Sequence, residues 1–518
     1  MSNNTVPKLK KTSKIEPATL FIIAAALLIY SPAASINQLS GWVLDCAIQI
    51  RLGLDAISSG HLITDEIYSW HEGLIFTAHE TGWYLILGFI FKHFKLWGVL
   101  LICTLFNYGT GISAATYIKK TAHPLICLAV MVSACIFKGF PDYNARPSTT
   151  SAFIFMFTIV MLLGEKKPVF KASVFVAGAF LLAWLHGGML PLYFAVMAVF
   201  IVLELIYKQF KTALTLACGA ILGFLLSIAN PIGIRLWTYA FQQSRAKDVW
   251  AQIDEWNPVT FTIIQMFLIL MVLVGFMCGK DVHEFKKDAV TKLCMFCMFL
   301  IISCVYRRFM LHFSMTYILV APKAYQDFIL WAVRQFLPKL ENKKFNLSGA
   351  FYYILVAACI VMLSVSGFFN VRNNLPTGEM ADIENMAAYD DGVVKTVKDK
   401  GYEKIFNDFN SGSWLVFHGV KVHIDNRVDP YISQFSDVDH MTGKMSVSTL
   451  FELDDFRALY GNDAFVMTTN PGFSPLLYEI EKYAPDRYKV VYDNTVKSNQ
   501  KKGEVLRWVV IECLPAAK

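Results

Sequence analysis

Over the first 370 positions, apolar residues fall in long blocks separated by short polar loops. The blocks run roughly over 19–36, 96–117, 122–138, 146–163, 169–184, 187–207, 210–229, 259–278, 290–305, 308–332 and 349–368. Each is long enough to cross, or nearly cross, a bilayer as a helix of about 17–25 residues. The segment 81–95, TGWYLILGFIFKHFK, is apolar but short and carries Lys92 and Lys95. It reads either as an amphipathic helix lying in the interface or as a twelfth span. From about Val371 the apolar runs shorten to strand-like stretches, VKVHID, AFVMTT, YKVVY and VLRWVVIE. Amphipathic helical patterns such as STLFELDDFRALYG and PLLYEIEKYA sit between them. The pattern predicts an α-helical polytopic membrane bundle over 19–370, followed by a soluble α/β domain over 371–518.

Composition agrees with the pattern. The chain has 518 residues, 55% hydrophobic and 17% charged, with a mean hydropathy of +0.45. This excludes a disordered chain, a collagen-like repeat and a small disulfide scaffold, and argues against an ordinary soluble enzyme. Most of the 11 cysteines lie inside apolar runs, where they act as small core residues. Charge divides the chain in two. Residues 1–370 hold 30 Lys+Arg and 18 Asp+Glu, a net of +12, whereas 371–518 hold 17 and 22, a net of −5. The basic excess sits in short loops, so it is an orientation signal and no nucleic-acid surface. Lys8, Lys10, Lys11 and Lys14 place the tail 1–18 in the cytoplasm. Eleven spans keep the lysine-rich loops inside. The loops 37–95, 139–146, 185–188, 230–258 and 305–308 then face outward with the C-terminal domain. The expected location is the plasma (inner) membrane, as a multi-pass protein.

The chemically diverse side chains collect in those outward loops. GWVLDCAIQIRLGLDAISSG reads as a helix ending at Gly60, with Asp45, Gln49 and Gly53 on one face. A carboxylate near the hydrocarbon boundary loses hydration and becomes a stronger base, which singles out Asp45; pairing with Arg51 is the plain alternative. Asp65, Glu66, His79 and Glu80 form a donor set for a divalent cation, although no HExxH spacing is present and Asp65 also suits a helix cap. Arg146 opens a span just after Asp142, and Arg307 and Arg308 open another. A guanidinium buried at mid-bilayer costs about 2.5–3.5 kcal/mol on insertion scales, so three near one surface call for anionic partners. Phosphate satisfies that demand, whether from a ligand or from lipid headgroups. His186 sits in the turn WLHGG, Glu255 in DEW, and Asp425 and Arg427 in HIDNR, where a strand-end salt bridge is equally compatible.

Taken in order, these motifs resemble a bacterial branch of the GT-C class of polytopic glycosyltransferases. The matching stretches are Asp45, Gln49 and Gly53, then TDEIYSW (64–70), HETGW (79–83), ARPST (145–149) and WLHGG (184–188). NPIG (230–233), DEW (254–256), Arg307 and Arg308, FNDFNSGSWL (406–415) and HIDNRVDPY (423–431) follow. Gln49 stands where the branch has His, and the first acid of a paired DxD is absent before Asp45. The resemblance implies transfer of a sugar from a polyprenyl-phosphate donor to a cell-envelope glycan, lipid or protein acceptor, with inversion. It implies Asp45 as catalytic base and Arg146, Arg307 and Arg308 on the donor phosphate. Gln49, Asp65, Glu66, His79, Glu80, Asp142, His186, Glu255, Asp425 and Arg427 are the implied substrate contacts. No organic cofactor is called for, and a divalent metal is left open. The alternative is a non-catalytic membrane scaffold or a lipid-linked-glycan transporter. A transporter should show an internal repeat, and the sequence has none.

Overall fold

The computed structural model describes residues 16–31, 39–137, 145–243, 245, 253–340, 347–374, 390–427, 429–431, 447–469, 475–494 and 507–515; side chains at 39–45, 240, 254, 340, 369–374, 410, 468–469 and 507 lie outside the described set. Each expected apolar block folds as a helix. The first nine helices are α1 Pro17–Ile29, α2 Leu39–Ser59, α3 Thr81–Ile118, α4 Pro124–Ala134, α5 Pro147–Leu163, α6 Pro168–Leu185, α7 Leu190–Ile206, α8 Phe210–Ser227 and α9 Arg235–Gln243. Helices Ile263–Cys278, Lys287–Val305, Met310–Phe336 and Gly349–Asn374 complete the bundle. Among the described residues, six helices are long and apolar enough to cross a bilayer and four further apolar ones are shorter. The chain is a multi-pass membrane protein.

Helix is the necessary solution in hydrocarbon, because every backbone N–H and C=O must be satisfied within the segment. Proline occupies the first turn of α1, α4, α5 and α6, where its missing N–H costs nothing. Thr262 and Gln265 form a capping box that starts Ile263–Cys278. α1 packs against α3 and Gly349–Asn374, α6 against α5 and α8, and Ile263–Cys278 against Met310–Phe336. The lysine-rich loops close the bundle at the end away from His186. There Lys287 lies 2.9 Å from Glu204, Lys292 2.5 Å from Asp288 and Lys323 2.5 Å from Asp327.

The ambiguous segment 81–95 is a helix of its own. α3 breaks at Lys95 (φ 54°, ψ −152°), which separates 81–94 from the span 96–118. The first part runs back along α2, and Gly53 and Gly88 set the crossing. A Cβ on Gly53 would lie 1.9 Å from the Tyr84 carbonyl oxygen, and one on Gly88 2.4 Å from the Gly53 carbonyl carbon. Gly53, expected on one face with Asp45 and Gln49, therefore allows two backbones to meet.

The C-terminal domain is built on a four-stranded sheet of order β1-β2-β4-β3, with β1 Ile405–Asn407, β2 Ala464–Thr469, β3 Tyr488–Asp493 and β4 Arg507–Cys513. β1 and β2 are parallel, and the other pairs are antiparallel. AFVMTT, YKVVY and the end of VLRWVVIE are strands as expected. VKVHID is not part of the sheet. It bridges in parallel to the first outer loop at Ser69↔Val422, where the Val422 N–H donates to the Tyr68 carbonyl at 3.0 Å. Its alternating pattern is spent on pairing with the membrane region. Helix Phe409–Phe417 packs on α2. Tyr68, Phe76, Trp83 and Leu87 share one core with Trp414, Val422, Val466 and Trp508.

An ionic clasp closes this seam. The Arg427 guanidinium lies 2.6 Å from Glu66 and 2.6 Å from Asp425, with the three side chains 5%, 3% and 0% exposed. It sits over the rings of Tyr68 and Phe76, and the Tyr431 hydroxyl donates to Asp425 at 2.6 Å. The other side of Glu66 accepts the backbone N–H groups of Tyr68 and Ser69.

Two substitutions test this architecture. Gly53→Val should lower the thermal midpoint of the detergent-solubilised protein, with a loss of about 1–3 kcal/mol typical of overpacking. Arg427→Met strands two buried carboxylates and should destabilise by about 3–5 kcal/mol, read as faster proteolytic release of the C-terminal domain.

Candidate functional site

The stretch from α2 to the start of α3, the loop 145–148, the turn at His186, α9, the turn 253–260 and the start of Met310–Phe336 converge beneath the C-terminal domain on one cavity of about 770 Å³. Phe409, Asn426 and Arg427 roof it. Phe137, Val259, Met310 and Leu311 give it an apolar wall on the bundle side.

One end of the cavity is cationic. Arg146, Arg307 and Arg308 all line it. Glu255 is the carboxylate among them, 2.8 Å from Arg146 and 3.8 Å from Arg308. Burial works to raise the Glu255 pKa, but Arg308 and Arg146 outweigh it and hold the carboxyl below its ordinary range. The Arg308 guanidinium also lies 4.7 Å over the Trp256 ring, a cation–π contact that fixes its direction. Guanidiniums lining one end of a cavity are suited to an oxyanion with several acceptor oxygens.

The other end centres on Glu80, the residue that caps α3. Its carboxylate accepts from Gln49 Nε2 at 3.1 Å and lies 3.3 Å from His79 and 3.9 Å from His186. Trp83 Nε1 donates to Gln49 Oε1 at 3.2 Å, which turns the Gln49 amide nitrogen toward Glu80. Burial opposes charge on both partners of the His79–Glu80 pair. Their mutual attraction prevails, raising the His79 pKa and lowering that of Glu80. His186 behaves differently: burial pushes it down to about 3, so it is neutral, with Nδ1 3.0 Å from Ser151 Oγ. His79 stacks on Tyr239, whose hydroxyl lies 3.2 Å from Nε2 and accepts from Gln243 at 2.6 Å.

The fold thus brings Gln49, His79, Glu80, Arg146, His186, Glu255, Arg307, Arg308 and Arg427 to one cavity from segments spread over some 380 residues of sequence. Glu66 and Asp425 stand behind Arg427 in the clasp and do not line it. Asp65 is exposed and also lies off the cavity. Asp65, Glu66, His79 and Glu80 therefore do not converge as a cation site, and among the described residues no three His, Cys, Asp or Glu side chains are grouped to hold a metal ion. Asp45 precedes Gln49 by one turn of α2, and its side chain lies outside the described residues, as does Asp142.

No family model matches the chain, and no curated protein matches it. Solved structures do. The archaeal oligosaccharyltransferase AglB from Archaeoglobus fulgidus, in complex with an inhibitory peptide and a dolichol-phosphate, superposes with a TM-score of 0.52 at 9% identity, over 90% of this chain and 70% of that one. The chain has the GT-C fold. ArnT from Cupriavidus metallidurans bound to undecaprenyl phosphate matches at a TM-score of 0.47 and 13% identity, over 96% of this chain and 98% of that one. The polytopic bundle with an appended α/β domain, expected from the apolar blocks and the motif order, is the architecture observed.

Sequence reasoning missed two side chains that line the cavity. Tyr84 and Tyr239 carried no signal beyond an aromatic in an apolar or amphipathic run. It also passed over Asp429, in the DPY turn of the C-terminal domain, which is fully buried with no other described side chain hydrogen-bonded to its carboxylate. Burial pushes its pKa up to about 7 despite the opposing charges of His79 and Arg427. The folded state therefore holds this proton more tightly than the unfolded chain. The resulting destabilisation is absent below about pH 4 and complete above pH 7. Asp429→Asn should accordingly raise the thermal midpoint relative to the parent at pH 8, with the difference shrinking as pH falls toward 4.

Proposed function

We propose that this GT-C chain is a membrane glycosyltransferase that moves a sugar from a polyprenyl-phosphate donor to an acceptor on the outer face of the plasma membrane. The observation that carries the reading is the polarised cavity: Arg146, Arg307 and Arg308 at one end, and the buried Glu80–His79–Gln49 cluster at the other. An amphiphile with a phosphate between lipid and sugar matches that polarity. Its tail lies against the apolar wall and its phosphate on the guanidiniums. The AglB structure that shares the fold holds a dolichol-phosphate.

In this reading the acceptor nucleophile attacks the anomeric carbon from the side opposite the phosphate. The carbon–oxygen bond to phosphate breaks, and its electron pair stays on the phosphate. The anomeric centre inverts. Arg146, Arg307 and Arg308 stabilise the charge that develops there, so the leaving group needs no strong acid. Asp45 takes the acceptor's proton. Glu80, Gln49 and His79 orient the sugar, and Glu255 keeps the arginines extended and spaced. The lysine-rich loops and the tail 1–18 face the cytoplasm, and the domain 371–518 faces outward, covering the cavity.

Reconstitution in proteoliposomes with labelled polyprenyl-phosphate sugars tests this. The parent should transfer label to an envelope acceptor. Arg146→Ala should lose about 10²–10³-fold in rate, and Asp45→Asn about 10²–10⁴-fold. Movement of label across the bilayer without transfer would make the protein a transporter, and neither outcome would make it a scaffold.

A further inference from the structure

The amide of Gln49 is held in one orientation. Trp83 Nε1 is a donor only, and it donates to Gln49 Oε1 at 3.2 Å, so the amide oxygen and nitrogen cannot exchange places. Trp83 is fully buried behind the wall, whereas Gln49 is half-buried and lines the cavity. Gln49 Nε2 carries two hydrogens. One is donated to Glu80 Oε2 at 3.1 Å, and the other meets no acceptor among the described residues. Glu80 also lines the cavity, with 8% of its surface exposed there. The donors aimed at its carboxylate are Gln49 Nε2, His79 Nε2 and the Tyr84 hydroxyl. A carboxylate has about four acceptor positions, so capacity remains. Burial opposes its charge, but His79 keeps Glu80 ionised, which strengthens any hydrogen bond it accepts.

An unused N–H and an ionised carboxylate with spare capacity therefore stand side by side on the cavity wall. A hydroxyl is the small group that uses both, accepting from the first and donating to the second. A methylene does neither, an ammonium cannot accept, and a carboxylate cannot donate and is repelled by Glu80. We propose that Gln49 and Glu80 together read one hydroxyl of the donor sugar, so that the site selects a sugar with a hydroxyl at that carbon over its deoxy, amino and carboxylate counterparts. The proposal rests on the lipid-phosphate-sugar reading of the cavity, in which a phosphate at Arg146, Arg307 and Arg308 sets the attached sugar toward this end. Trp83 is the positioning residue behind the pair. With the amide turned over, Gln49 Oε1 would face Glu80, acceptor against acceptor, and the hydroxyl would lose its donor.

The test is direct binding in lipid nanodiscs without acceptor. The probes are undecaprenyl phosphate, its glucosyl, galactosyl and arabinosyl forms, and the singly deoxygenated and aminodeoxy analogues of whichever sugar the parent binds most tightly. The parent should bind that sugar about tenfold or more tighter than the bare carrier. At least one deoxy analogue should lose about tenfold, the order expected for a hydrogen bond to an ionised group, and the amino analogue at the same carbon should not exceed the hydroxyl form. Gln49→Met should narrow the deoxy difference to about threefold or less; the Trp83 N–H keeps the Ala145 carbonyl, 3.3 Å away, as its acceptor. Glu80→Gln, which removes the charge, should narrow it as well. Binding of the bare carrier reports that each variant is folded, and the parent's deoxy series decides alone if one is not. Equal binding of every deoxy analogue, tighter binding of the amino analogue, a difference that survives both substitutions, or no gain with any sugar overturns the proposal. A deoxy penalty that appears only when acceptor is added places the hydroxyl on the acceptor and overturns it too. Failure of the parent to bind even the bare carrier, with Arg146→Ala unchanged, overturns the lipid-phosphate reading and the proposal with it.

Discussion

A guanidinium cannot be buried alone. Arg427 sits between Glu66, from the loop after α2, and Asp425, from its own strand-like segment, so this pair of buried carboxylates surrounds the charge only when the two halves of the chain are docked. Everything above the bundle depends on that requirement. The parallel bridge at Ser69↔Val422, the Trp70 indole donating to the Ile405 carbonyl at 2.8 Å and the shared core around Trp83 and Trp414 all lie along the same seam. Apolar burial supplies most of the adhesion there, since large aromatic side chains on both sides leave water. The ion cluster contributes register: with the seam slipped by one residue, Glu66 or Asp425 would be left buried without its partner.

Docking the domain roofs part of a cavity that stays open on one side, and the burial beneath it changes the electrostatics of what it covers. Removed from water, Glu80 and His79 favour each other's charged forms, His186 is held neutral, and the Asp429 carboxyl is pushed toward its protonated form. A chamber that is cationic at one end, rich in acceptors at the other and apolar along the bundle side has a direction built into it. In the proposed reading that direction matches an amphiphile whose phosphate joins a hydrocarbon tail to a sugar.

The resemblance seen in the ordered motifs and the superposition on AglB agree at the level of fold. They agree because the spacing of apolar blocks is dictated by bilayer thickness, which any chain of this architecture must respect. Glu66 and Asp425 show the limit of motif reading. Both stand in the stretches that suggested substrate contacts, and both are consumed by Arg427. Nothing local distinguishes a carboxylate that faces a ligand from one that faces a guanidinium 361 residues away.

The sequence by itself determined the membrane bundle, the presence of a C-terminal α/β domain and the loops in which the charged and imidazole groups gather. These follow from periodicity, block length and charge sign, which act over a few turns of chain. Tertiary structure alone decided which of those groups share a cavity, that 81–94 folds back through the Gly53–Gly88 contact, that VKVHID pairs with the loop after α2 and that Asp429 is fully buried. These depend on burial and on charges brought together from distant segments, and such interactions have no signature until the chain has closed on itself.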